Sequence, residues 1–92
     1  MKMNFNKANI SVVPANRPIL YQLDTARGRP NYVGVAKRGR SRKRLCDHLP
    51  GGTSPIPAKT VKIRQFSSIT EARSAEKRAI KSKQPKYNVK HK

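Results

Sequence analysis

Four carboxylates in 92 residues make the place of each one informative, and Glu76 has the least expected place. In "SITEARSAEKRAIKSKQ", Ile69, Ala72, Ala79 and Ile80 follow the spacing of a helix's buried stripe, and Glu76 falls inside that stripe. An acid there suits one of two chemistries. It is either a structural ion pair with one of the many arginines, since buried charges are generally paired, or a metal ligand or general base facing a cleft. A second pair lies in "NYVGVAKRGRSRKRLCDHL", Asn31 to Leu49, where Arg44 and His48 stand four residues apart. On a helix that spacing puts them on one face, one turn of about 5.4 Å apart. They belong either to a solvated charge run or to a phosphate clamp, in which Arg forks onto phosphate oxygens and His moves a proton near neutral pH.

The elements that must position these groups follow from pattern. "RPILYQLD" and "NYVGVA" are short strands around the turn chemistry of "TARGRP", which predicts an antiparallel hairpin. "SRKRLCDHL" has no β-branched residue and predicts a helix over 41–49. "PGGTSPIP" breaks it, and "KTVKIRQF" then alternates basic and apolar residues as a strand with one wet face. Ser68 with Glu71 three residues later is a capping box that opens the last helix, and Pro85 closes it. Residues 1–16, with the apolar run Ile10 to Val13 stopped by Pro14, are expected to form an arm or edge strand. The expected class is α/β in the α+β sense, a small three-stranded antiparallel or mixed sheet flanked by helices, with the main domain over 17–92.

Composition narrows the partner. Lys and Arg number 22 against 4 Asp and Glu, a formal charge of +18. Charge of that density in one small domain repels itself and is repaid by a polyanion, nucleic acid first. A membrane surface fits less well, because there is no Trp and no apolar run near the length of about 20 residues that a spanning helix needs. With no apolar signal segment after Met1, a cytoplasmic location is expected. One cysteine, Cys46, forms no internal disulfide, and two histidines with it do not supply a structural zinc site.

Taken together, the segments resemble the GIY-YIG nuclease family. The first tripeptide is Ile19-Leu20-Tyr21 and the second Tyr32-Val33-Gly34, with ten residues between the tyrosines. Arg44 and His48 match the family's Arg and its His or Tyr four residues on. Ala72 and Glu76 match its Ala-x-x-x-Glu helix, and Asn88, twelve residues after Glu76, stands in its Pro-x-Tyr-Asn context. The first tripeptide lacks its glycine, and the interval to the arginine is about two residues longer than the family's, which makes Arg42 a competitor of Arg44. The resemblance covers 17–89.

What the resemblance implies is a DNA endonuclease that hydrolyses a phosphodiester with one divalent ion, Mg2+ or Mn2+. Glu76 would hold the metal. Tyr21 would deprotonate the attacking water with help from Tyr32 and His48, in a site made electropositive by metal and arginines. Arg44 would stabilise the transition state, and Asn88 would orient near the metal or a neighbouring backbone. Phosphate contacts are expected from Lys37, Arg38, Arg40, Arg42, Lys43, Lys62 and Arg64, with little base readout and hence low sequence specificity or selection by structure. RNA stays open as a partner, as does a homodimer for double-strand cleavage. So small a nuclease suits a phage or mobile element and the cytoplasm of its host. The competing expectation is a basic nucleic-acid-binding protein, ribosomal-like or architectural, without chemistry.

Overall fold

The computed structural model describes residues 1–88; the end of the tail, 89–92, lies outside the described residues. Seven elements follow one another: β1 (Lys2–Asn4), α1 (Lys7–Ile10), β2 (Ile19–Asp24), β3 (Pro30–Ala36), α2 (Ser41–Asp47), β4 (Thr60–Gln65) and α3 (Ile69–Lys83). The strands form one antiparallel sheet in the order β1-β4-β2-β3. This is an α+β fold with four strands where the sequence predicts three.

The additional strand comes from the N-terminal segment, though not from its apolar run. Lys2–Asn4 pairs with β4, while Ile10 closes α1 and Val13 is fully buried. Asn6 starts α1 by accepting a hydrogen bond from the Asn9 N–H at 2.8 Å, as an N-cap does. Phe5, Ile10 and Val13 enter the same core as Ile19, Tyr21, Leu23, Leu45, Ile56, Val61 and Ile63. Three successive carbonyls then hold the start of α2. Val13 O accepts from Arg42 Nε at 2.9 Å, Pro14 O from Ser41 Oγ at 2.8 Å, and Ala15 O from the Gly39 N–H at 2.7 Å.

Period-two alternation sorts the sheet's two faces. Cα partners share a face, so Ile19, Tyr21 and Leu23 lie with Ala36, Gly34 and Tyr32 of β3 and with Gln65, Ile63 and Val61 of β4. This front face is covered by α1 and α2. On the back face α3 packs against β3 and β2. Its helix begins with the Ser68 hydroxyl accepting from the Glu71 N–H at 3.2 Å, half of the expected capping box; the Glu71 carboxylate takes the Ser67 hydroxyl. It ends with Gln84 in the left-handed region (φ 46°), just before Pro85. A chain of hydrogen bonds ties that end to the sheet: Lys83 Nζ donates to Gln22 Oε1 at 2.5 Å, and the buried Gln22 Nε2 donates to Asp24 Oδ1 at 2.7 Å. No described helix is long and apolar enough to cross a membrane.

Candidate active site

Tyr21 stands on an inner strand yet delivers its hydroxyl towards the sheet's free edge, and Gly34 is the reason. A Cβ at Gly34 would sit 2.5 Å from the Tyr21 hydroxyl oxygen, 2.6 Å from its Cζ and 2.9 Å from Tyr32 Cε2. The Tyr21 ring therefore lies across bare backbone where any side chain would block it. His48, the C-cap of α2, meets it from above: Tyr21 and His48 are hydrogen-bonded, Oη to Nε2, at 2.8 Å. Tyr32 completes the group, with ring centroids 4.8 Å from His48 and 6.1 Å from Tyr21.

The protons in this group can be placed. His48 Nδ1 lies 2.8 Å from the Ser54 carbonyl, which can only accept, so Nδ1 carries a hydrogen. Burial lowers the His48 pKa from its ordinary value, and the Arg44 charge adds to this against smaller opposing effects of Ser54 and Asp47. Near neutral pH the imidazole is uncharged, and Nε2 accepts the Tyr21 O–H. Burial likewise pushes the Tyr21 hydroxyl well above the usual tyrosine range; Tyr32 and Glu76 push the same way, and Arg44 opposes them by charge and hydrogen bonding. Tyr32 is also raised by burial, again with Arg44 lowering and Glu76 raising it. Tyr21 is 0% exposed, and desolvation of its hydroxyl outweighs the Arg44 charge.

Glu76 is half-buried on the helix face between the buried Ala72 and Ile80, where the spacing predicts it, and Ala75 extends the same buried line. From there its carboxylate acts electrostatically on both tyrosines. Asn88 is buried and binds backbone. Its Oδ1 accepts from the Val33 N–H at 2.8 Å and its Nδ2 donates to Val33 O at 2.9 Å, while the Tyr87 N–H reaches Asn31 O at 2.8 Å. The segment after Pro85 thus substitutes for a neighbouring strand along β3, in the middle of Tyr32-Val33-Gly34.

The basic residues divide. Lys37, Arg40 and Arg44 line a groove at the β3 edge with Val35, Ala36, Ile69 and Arg73. Arg38 is exposed in the same loop. Arg42 is anchored to Val13 O, and Lys43 pairs with Asp47 at 3.6 Å, so it is Arg44 that faces the tyrosines. Lys62 and Arg64 lie on the back of the sheet, away from Tyr21. Sequence reasoning missed Arg73, although it stands one turn before Glu76 on α3 and the i, i+3 spacing was visible. It also missed the Ser54 carbonyl, for which a backbone group leaves no signal in the sequence.

Among the described residues no cluster of three or more His, Cys, Asp or Glu could hold a metal. Both His48 nitrogens are already committed. Glu76, the carboxylate that acts on the tyrosines among the described residues, suits magnesium, which keeps waters and takes phosphate oxygens beside one or two acids, and does not suit zinc. No family model matches the chain, and no curated protein matches it.

Proposed function

We propose that this chain is a divalent-metal-dependent DNA endonuclease of the GIY-YIG type. The observation that carries the reading is the Tyr21 hydroxyl hydrogen-bonded to His48 Nε2 at 2.8 Å, with the opposite charges of Arg44 and Glu76 both acting on it. A hydroxyl with a raised pKa is not a standing base. It serves as a relay: water gives a proton to the Tyr21 oxygen as Tyr21 gives its own to His48 Nε2, and the charge ends on an imidazolium whose Nδ1–H still donates to Ser54 O. No tyrosinate is formed. Tyr32, half-buried beside both rings, orients the pair, and exposed Arg44 meets the non-bridging phosphate oxygens as charge builds on them. Magnesium at Glu76 would polarise the phosphate and neutralise the leaving oxygen. Asn88 acts through Val33, keeping the strand that carries Tyr32 in register.

One observation favours a second reading, a nucleic-acid-binding protein without chemistry: Tyr21 is wholly out of water, as a core tyrosine would be. Plasmid incubated with magnesium or with chelator separates the two. The nuclease reading expects nicking or linearisation with metal only, and expects Glu76→Ala to bind DNA but not cut it. Cutting that survives Glu76→Ala removes the metal role, and no cutting under any metal leaves the binding protein.

A further inference from the structure

The back face carries charge that the tyrosine site does not use. Lys62 and Arg64 alternate on β4 with Val61 and Ile63, which enter the core, so the two cations project on the other side. Lys2 of β1 is the Cα partner of Lys62 and shares its face. α3 covers this face over β3 and β2. Over β4 and β1 it stays open as a groove lined by Lys2, Leu20, Gln22, Lys62 and Arg64.

Like charges directly opposite in an antiparallel pair destabilise it. Lys2 against Lys62, with Arg64 two residues on, is a cost the fold has not removed. The nearest acid does not cancel it: Asp24 is 1% exposed, and its Oδ2 faces Lys62 Nζ at 3.6 Å with no hydrogen bond among the described residues. One buried carboxylate stands against these three cations, and Gln22, itself uncharged, holds a fourth, Lys83. An anion with closely spaced negative groups would turn this repulsion into binding, as a phosphodiester backbone does.

We propose that this groove is a second nucleic-acid site, which takes the phosphate backbone of a duplex segment other than the one at the tyrosine face. One molecule then holds two segments, one on each side of its sheet, because a straight duplex cannot touch both faces. The proposal rests on nucleic acid being the partner and is independent of catalysis.

Bridging tests it. Duplex DNA on beads is loaded with protein in chelator and washed, and a labelled second duplex is added. The wild type retains the label. The K2Q/R64Q variant, which leaves Lys62 with buried Asp24, still binds the bead duplex through the tyrosine face but retains at least about fivefold less label at low salt. The R40Q/R73Q variant, altered at the β3-edge groove, loses bridging by the same factor while its back face is intact. Thermal melting confirms that both variants fold. If K2Q/R64Q bridges as well as wild type, or if wild type binds one duplex and never a second, the proposal is overturned while nucleic-acid binding stands. If wild type binds no duplex at all, the partner itself is wrong.

Discussion

Buried as it is, Tyr21 depends on a single neighbour to take its proton, and this fixes a pH dependence. His48 must be neutral to accept, and its pKa lies below the ordinary 6.5 because burial disfavours the charged ring. Cleavage should hold from neutral pH to below 6.5 and fall only under the folded pKa of His48; His48→Gln should lose most activity and that acid limb with it. A wild-type profile that falls between pH 7 and 8 would contradict the relay. Stability follows from the same shift. Between the folded pKa and 6.5 the unfolded chain binds the proton that folded His48 refuses, so stability rises with pH through that window and declines as pH drops. Melting temperatures at pH 5 and 7 should differ for wild type, and the difference should shrink in His48→Gln. The spacing of Arg44 and His48 was legible as a helical face, and so was their contest with Arg42. What Arg42 does was not, because its partner, Val13 O, lies 29 residues earlier in the chain. Nor could the tautomer of His48 be foreseen, since it is set by a carbonyl from a loop.

The elements matter for how they bring these groups to one edge, and Gly34 is the narrowest point. In Gly34→Ala the new methyl meets a tyrosine with no room to retreat, so the ring must leave His48 or β3 must move. Overpacking of this kind costs about 1–3 kcal/mol. The fold should survive with a lower melting temperature, while activity falls much further than stability; equal activity in Gly34→Ala would mean that the ring does not cross there. Asn88→Ala is the complementary case. It leaves the buried Val33 N–H and C=O without partners, at about 1–3 kcal/mol for each group, and it should lower the melting temperature without altering the pH profile. The main elements were readable because the pattern was strong in each: β2, β3, α2, β4 and α3 all lie where alternation, capping and Pro85 put them. The N-terminal segment was legible as an arm or edge strand, but the bounds of β1 were not, because three residues with one half-buried Met3 have no period to detect and are a strand only by pairing with β4. Glu76 was legible, since Ala72 and Ile80, one turn to either side of it, are both buried. That Ala75 rather than Ala79 is buried with them was not legible, because small alanines on several faces leave a stripe's exact angle poorly determined.

Over the whole molecule the controlling quantity is charge relative to size. The chain carries a formal charge of +18, and the fold measures 29 × 29 × 23 Å. At 0.01 M salt the screening length is about 30 Å, so every cation feels every other; at 0.1 M it is about 10 Å and at 1 M about 3 Å, where only neighbours interact. Self-repulsion therefore opposes the compact state most strongly in dilute buffer. Burial works against it, with Ile10, Val13, Ile19, Tyr21, Leu23, Leu45 and Val61 at 1% exposure or less. The melting temperature should rise as sodium chloride is raised from 0.01 to 0.5 M, counter to the loss expected where attractive ion pairs dominate. It should rise further on adding short duplex DNA at low salt, because a ligand that binds only the folded state stabilises it by about 2.7 kcal/mol at one hundred times its Kd. The two effects must also compete. Salt that relieves repulsion also weakens phosphate binding, by a log-log slope of roughly −0.9 per phosphate contact on duplex DNA. With DNA present the melting temperature should consequently fall from its low-salt value, pass through a minimum and recover towards the salt-stabilised free protein. A monotonic rise with DNA would mean that the charge serves the fold alone and that no polyanion is bound.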